Sequence, residues 1–504
     1  MLDVHRAESG LLTRRSPVLV AIDQGSGSSR VLAFDRHGRL LAQARRPLST
    51  KAPRPGWVEH TPAELLRGVK SALTAVLSEL GRDPIGIGLT TQRSTIVLWE
   101  RGTGRAVSHA LSWQDRRAAA VCDQLASSSA RIRRATGLFL SPHYAAPKLR
   151  WLLDHIPGAQ RRAERGELLC GTVNTFLLWH LSGGAVHITD HTQAARTLLM
   201  NLSTLAWDKA LCDLFGIPLC LLPVIAPTVG DFGEITVGAR RLPVRASIGD
   251  QQAAALGQGG GLPGDLCLHY GTGAFALLNT GTTLRRSPRL LSSIAWSDSS
   301  RQSYLLEGTV NAVGSGLEWL QRNWRLPKGL QSLDRLAAQS RCPTPFLPAL
   351  AGLGAPYWAP WADGIGAGFT LSSRPGDVVR GFLEGVAFLV SRIVDALPIA
   401  PERITASGGL SDLSVLLQVQ ADFFGRPIRR AQLKETSAWG AAVLCGVGAG
   451  LWRSPADAPH QAHSTRLFEP QGDQRVIEAK KRVWARLVRE ACSKNRYSGV
   501  SHSE

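Results

Sequence analysis

The stretch DQGSGSSR, residues 23–30, follows the apolar run VLVAI and precedes a second one, VLAF. Two apolar runs joined by small residues read as two strands and a tight turn. Such a turn is either the bend of a hairpin or a cradle of backbone N–H groups for phosphate oxygens, because small residues let the main chain approach an anion closely. The eight residues alone leave both readings open. A second copy of the theme, YGTGAF at 270–275, lies between DLCLH and ALLNTG. Its recurrence at the head of the second half points to an internal duplication and favours the phosphate cradle in both places.

Outward from the first turn, HGRLLAQARRPL extends the sheet and TPAELLRGVKSALTAVLSEL reads as a helix. Thr61, Pro62 and Glu64 predict a capping box with proline at the first helical position. PIGIGLT returns as a buried strand, IVLWE and HALSW follow as strands, and QDRRAAAVCDQLA is helical. Strands alternating with helices give an α/β class. GQGGGLPGD, 257–265, marks a boundary between two halves. Within it GGGLPG formally matches G-x-G-x-x-G, but it precedes a strand and contains Pro263, so it reads as a linker. In RITASGGLSDLSVLLQVQADFFG a strand runs into Gly408 and Gly409, and Ser411 is the expected cap of the next helix.

A chain of 504 residues is expected to form two domains. Hydrophobic residues at 44% and charged residues at 19% describe a globular protein. The net charge of +19 raises nucleic-acid binding, but Arg is scattered along helical stretches such as RRAERGE and no zinc-finger, RNA-binding or basic-arm pattern occurs. The expectation is a solvated basic surface, no nucleic acid, and an anionic small substrate or product. Eight cysteines without paired spacing read as thiols of a reducing compartment, with no metal site among them. No stretch approaches the length of a membrane span, so the expected location is cytoplasmic, with no membrane partner.

Two carboxylates stand at strand ends. Asp250 in RASIGDQQAAALGQ, 245–258, is either a helix N-cap or a base for a hydroxyl nucleophile. Asp23 is either a turn-forming residue or a partner of Mg²⁺ through water. G-x-x-x-x-G-K-[ST] is absent, which excludes a P-loop reading.

The residues resemble the FGGY carbohydrate kinases and, within them, the glycerol kinase branch. DQGSGSSR is similar to that family's DQGTTSSR. PGWVEHTPAEL, TQRST, SWQDRR, TGLFLSPHYAAPKLRWLLD, GELLCGTVNTFLLWHLSGG, HITDHTQAARTLL, GDQQAAALGQ, YGTGAFALLNTG, LAGLGAPYW, SGGLSDLSVLLQ and ETSAWGAAV match its stretches in order, from about Val18 to about Trp452. The resemblance implies an α/β fold of two duplicated actin-like ATPase (ribonuclease H-like) domains around a central cleft. The expected division is a disordered tail 1–16, an N-terminal domain 17–257, a C-terminal domain 258–490 and a disordered tail 491–504. It implies ATP and Mg²⁺ as cofactors, transfer of the γ-phosphoryl group to a polyol or sugar hydroxyl, and a homodimer or homotetramer.

By position, Ser26, Gly27, Ser28, Arg30 and Thr272 would face the ATP phosphates, with Gly314, Glu318, Gly409 and Leu413 lining the rest of the nucleotide site and Asp23 at the metal. Arg93, Ser94, Trp113, His143, Asp250, Gln251 and Phe275 would form the acceptor pocket, with Asp250 the catalytic base. Several positions depart from the glycerol kinase pattern. Ser94 replaces a Glu that binds polyol hydroxyls, His143 a Tyr, Gly27 a Thr, Leu413 an Asn and Glu318 a Gln. Losing a charged acceptor changes selectivity between hydroxylated substrates. Glycerol, another polyol such as erythritol, and a pentulose are therefore all candidate acceptors; a catalytically weak regulatory homologue is the alternative that these departures motivate.

Overall fold

The computed structural model describes residues 16–433, 435–459 and 466–493. Most of the two expected tails, 1–15 and 494–504, lies outside the described residues. Residues 491–493 are not tail: they close the helix Gln474–Ser493.

Two compact units emerge, and they are not contiguous in sequence. The first takes Met1–Gly257, Ser293–Tyr304 and Glu435–His460; the second takes Gln258–Ser292, Leu305–Lys434 and Gln461–Glu504. The expected junction at 257/258 is thus the first boundary, but two later segments join the first unit.

In the first unit, strand Val18–Gln24 is buried at every position, as its unbroken apolar run requires of a central strand. It pairs antiparallel with Ser28–Asp35 and parallel with Gly86–Thr91. Arg240–Gly249 pairs parallel on the other side of Gly86–Thr91. Glu234–Val237 and Leu40–Pro47 close the two edges of this six-stranded sheet. Leu40–Pro47 behaves as an edge strand should: Ala42 is buried and Arg45, Arg46 and Pro47 point to the rim. Helix Pro62–Leu80 covers the sheet with Leu65, Val69, Ala72, Leu73, Val76 and Leu77, a 3.6-residue stripe. Its expected capping box is not formed. Thr61 is the N-cap and Pro62 follows, but the Thr61 side chain makes no cap bond, and Glu64 instead accepts from the Ser49 N–H at 3.0 Å.

The helix Thr436–Gly448 also belongs to this unit and is buried nearly all round. Glycines let it come close. A Cβ on Gly440 would lie 1.9 Å from the Ala253 carbonyl oxygen, one on Gly257 2.0 Å from that of Thr436, and one on Gly88 2.1 Å from that of Ala441.

The second hairpin repeats the first in topology. Asp265–Tyr270 pairs antiparallel with Ala274–Gly281 and parallel with Arg403–Ser407. This is the arrangement of Val18–Gln24 with its two neighbours, so the duplication read from the two turns is present in the sheets. The seven-stranded sheet runs Leu291–Ser297, Gln302–Val310, Ala274–Gly281, Asp265–Tyr270, Arg403–Ser407, Ile428–Arg430, Arg466–Phe468. Helix Pro375–Asp395 is the spine of the second core, with Val378, Val379, Phe382, Leu383 and Val386 fully buried. Ser411 is not a helix cap: its hydroxyl donates to the Gly408 carbonyl at 2.7 Å, and Asp334 caps the following helix by accepting from the Val415 N–H at 2.9 Å.

Candidate active site

Sheet register assembles the first part of the site. Asp23, Thr90 and Ile248 stand in one row of the three parallel strands, and Gln24, Thr91 and Gly249 in the next. The chain therefore leaves the sheet at one carboxyl edge three times over, into the Gly25–Ser28 turn, into Gln92–Ser94 and into Asp250. Carboxyl ends of parallel strands are where open α/β sheets hold ligands.

The turn is braced from behind. Gln92, 1% exposed, accepts from the Ser26 hydroxyl at 3.1 Å and from the Thr95 hydroxyl at 2.9 Å, and its amide donates to the Gly25 carbonyl at 3.3 Å. The Trp113 indole N–H donates to the Ser26 hydroxyl at 2.9 Å. Gly27 is exposed, and a Cβ built there meets nothing within 4 Å. Ser28 is buried at the start of its strand. Arg30 reaches back to Asp23 at 2.5 Å and also bonds the Glu435 carboxylate. Burial pushes the Asp23 carboxyl above its usual range, against the pull of Arg30.

Asp250 opens the helix Asp250–Gly257. Its carboxylate accepts from the Gln251 N–H at 2.8 Å and lies 3.6 Å from the Arg93 guanidinium. Arg93 in turn donates to the Gln252 side-chain oxygen at 3.2 Å. Gln251 Oε1 is buried without a hydrogen-bond partner, an acceptor that suits a ligand hydroxyl. Ser94 has φ 66°, the left-handed region that a side chain rarely adopts, and its hydroxyl donates to the Arg196 carbonyl at 3.2 Å. His143 is half-buried, with its ring edge-on to Trp113 at 5.5 Å and to Tyr144 at 5.0 Å. Desolvation, followed by the charges of Arg196, Lys148, Arg93 and Arg116, holds His143 well below the usual histidine range, so the ring is neutral.

Behind these residues lie groups that the sequence reading missed. Lys148 is fully buried; its ammonium donates to the carbonyls of His143 at 2.8 Å and Ser112 at 2.9 Å, and burial pulls its pKa down to about 7. It ties the His143 wall to the strand end that precedes Trp113. Asp190, also fully buried, accepts from both the backbone and the hydroxyl of Thr192, and Thr192 Oγ1 accepts from the Gly249 N–H at 2.8 Å, one residue before Asp250. Gln193 donates to the Thr91 carbonyl and hydroxyl at 3.0 and 2.8 Å. A lysine inside the apolar pattern of AAPKLRWLL and the aspartate of HITDHT were the available signals.

The remaining predicted residues belong to the second unit. Thr272 is exposed in its turn; its carbonyl accepts from the Val313 N–H at 3.0 Å, and a Cβ on Gly314 would meet the Gly271 oxygen at 2.6 Å. The helix Gly314–Asn323 therefore starts against the second turn, with Glu318 exposed one turn further on. Gly409 is exposed, two residues after the strand Arg403–Ser407, and a Cβ built on it meets nothing within 4 Å. Phe275 is partly exposed, opposite His269 in the hairpin. Leu413 departs from expectation: it is fully buried in the second core, so it does not line an open site. A leucine in place of a polar residue gains more by joining the apolar cluster.

Comparison with known proteins gives this geometry a family. Residues 18–257 match the model for the N-terminal domain of the FGGY family of carbohydrate kinases, and 266–449 that for its C-terminal domain. The chain is 41% identical over 472 residues to a glycerol kinase of Stenotrophomonas maltophilia, spanning 90% of this chain and 94% of that one. It is 40% identical to a glycerol kinase of Thermus brockianus, over 94% and 98% of the two chains. Among solved structures, a Plasmodium falciparum glycerol kinase with ADP superposes with a TM-score of 0.89 at 28% identity, over 94% and 98%. A xylulose kinase from Rhodospirillum rubrum follows at 0.82 and 25%, over the same shares. The two duplicated α/β units are thus those of the ribonuclease H-like, actin-like ATPase fold, and the chain belongs to the FGGY family of carbohydrate kinases as an ATP-dependent kinase of a sugar or polyol.

Proposed function

We propose that the protein transfers the γ-phosphoryl group of ATP to a hydroxyl of glycerol or a related polyhydroxy acceptor, with Asp250 as the base. The observation that carries this reading is the common carboxyl edge: Asp23, Arg93 and Asp250 leave three adjacent parallel strands together, and Asp250 is already oriented by Arg93 and by its own helix N-terminus. An acceptor hydroxyl that gives its proton to Asp250 becomes a better nucleophile as its oxygen meets the γ-phosphorus. Gln251 Oε1 supplies an acceptor for a further hydroxyl, and Trp113 and His143 give the carbon skeleton an aromatic wall. In the first turn, the Ser26 and Gly27 backbone N–H groups and Arg30 are the groups assigned to the phosphates.

Asp23 suits Mg²⁺. It is a hard oxygen donor beside a second carboxylate, Glu435, that shares its Arg30 partner. Among the described residues no cluster of three or more ligating side chains forms, which matches an ion held mostly by phosphates and water. Bound there, Mg²⁺ would neutralise charge on the phosphate oxygens. A cytoplasmic location fits the eight cysteines, all free thiols; a homodimer or homotetramer is the assembly proposed from the resemblance.

Asp250→Asn tests the assignment. Turnover in a coupled ADP-release assay is expected to fall by about 10²- to 10⁴-fold, the range of general-base catalysis. ATP binding by calorimetry should stay within about threefold. Turnover within tenfold of the parent would remove Asp250 as the base.

A further inference from the structure

Two buried glutamines hold the first turn. Gly25 and Gly27 carry no side chain, so ordering this turn costs more backbone entropy than ordinary residues would. Gln24 braces it from within its own hairpin: its amide donates to the Gly25 carbonyl at 3.0 Å and its side-chain oxygen accepts from the Ser29 hydroxyl at 2.6 Å. Gln92 braces it from the neighbouring strand end. Its backbone N–H donates to the Gln24 carbonyl at 2.9 Å and its amide to the Gly25 carbonyl at 3.3 Å. A carbonyl only accepts, so the Gln92 nitrogen must face Gly25, which turns Oε1 the other way. There Oε1 takes the hydroxyl protons of both Ser26, at 3.1 Å, and Thr95, at 2.9 Å.

Each of those hydroxyls is in turn an acceptor for Trp113, whose two N–H groups can only donate. The indole N–H reaches Ser26 Oγ at 2.9 Å, and the backbone N–H reaches Thr95 Oγ1 at 3.1 Å. The four bonds close a ring that runs from Trp113 through Ser26 on one side and Thr95 on the other to a single oxygen, Gln92 Oε1. Gln92 is 1% exposed and Thr95 0%, so these two stand behind the site, where water competes little for their bonds. Ser26 and Trp113 are half-buried in front of them. We propose that Gln92 is a positioning residue for phosphoryl transfer: its side-chain oxygen locks the Ser26 turn to the Trp113 wall, so that a change in the acceptor wall is felt by the nucleotide. The inference rests on the reading of the turn as a phosphate cradle and of Trp113 as acceptor wall, and not on Asp250 as base.

The test probe is β,γ-methylene-ATP with Mg²⁺, its Kd read by calorimetry on the full-length protein with no acceptor present. Trp113→Phe removes the indole N–H and keeps an aromatic ring. Nucleotide binding is expected to weaken by about two- to tenfold, as one neutral hydrogen bond contributes, although Trp113 is assigned to the acceptor. Gln92→Met, similar in length but without the amide, should weaken it by at least about tenfold. Thr95→Val should weaken it by about two- to tenfold alone, yet by less than about twofold when added to Gln92→Met, because both act through one oxygen. A Kd unchanged in Trp113→Phe or in Gln92→Met would overturn the inference, and so would losses that simply add, the mark of independent damage to the fold. A parent that binds no nucleotide would overturn the phosphate reading of the turn and this inference with it. Nothing turns over in the assay, so it stays readable if Asp250 proves not to be the base, and Trp113→Phe decides the link even if Gln92→Met fails to fold.

Discussion

Asp190→Asn should change how stability depends on pH. Asp190 accepts five hydrogen bonds: Oδ1 from the Thr192 N–H at 2.8 Å, the Gln193 N–H at 3.2 Å and the Thr192 hydroxyl, and Oδ2 from Asn174 at 3.1 Å and Ser247 at 2.8 Å. Every one of these donors is neutral. Burial outweighs them and raises the carboxyl from 3.8 to about 6. An acid that holds its proton more tightly folded than unfolded loses stability as pH rises between those two values, and loses no more above the higher one. The full loss is about 3 kcal/mol at 1.36 kcal/mol per pH unit, of which about 2 kcal/mol falls between pH 4.5 and 7.5. Asparagine has no such titration. The stability difference between parent and variant, from urea unfolding of both at steps across that range, is therefore expected to move by about 2 kcal/mol in favour of the variant. The offset at any single pH also contains the two Oδ2 bonds that the asparagine amide does not reproduce, so the slope carries the test. Parallel curves would refute the reasoning and leave Asp190 an ordinary ionised cap.

Two further outcomes follow from space around glycines. Gly27→Thr should fold as the parent does, because its Cβ meets nothing within 4 Å, and the added hydroxyl should lower the KM for ATP by about two- to tenfold, the size of one hydrogen bond; an unchanged KM would mean the side chain at 27 does not reach the phosphates. Gly440→Ala puts a methyl 1.9 Å from the Ala253 carbonyl oxygen, so a loss of about 1–3 kcal/mol or more is expected in urea unfolding, and a stability equal to the parent's would show that the helix shifts freely.

What the sequence could disclose followed physical range. The two hairpins were legible because strand and turn chemistry is local, and Asp250 was legible because a carboxylate at a strand end is visible in ten residues. Asp190 and Lys148 were not, since their importance lies in bonds to Ser247, 57 residues away, and to Ser112, 36 residues away. The same limit explains the caps. Thr61, Glu64 and Ser411 had the right spacing, but Ser49 and Asp334, distant in sequence, offered better partners or did the capping themselves. Leu413 was misplaced because a positional match transfers a location but not the character of the side chain, and a leucine there turns inward.

The helix Thr436–Gly448, seated on Gly88 and against Ala253 in the first unit, has a consequence for how the protein is made. A ribosome finishes Gly257 about 180 residues before it reaches Glu435, so at roughly 5–20 residues per second the nascent first unit waits on the order of 10–40 s for its last helix. Through that interval the sheet face around Gly88 is uncovered while Gln258–Ser292 and Leu305–Lys434 of the second unit are being synthesised. The first unit is early in the gene and late in completion, and a fragment ending at residue 257 would be an unfinished intermediate with an exposed apolar face rather than a domain.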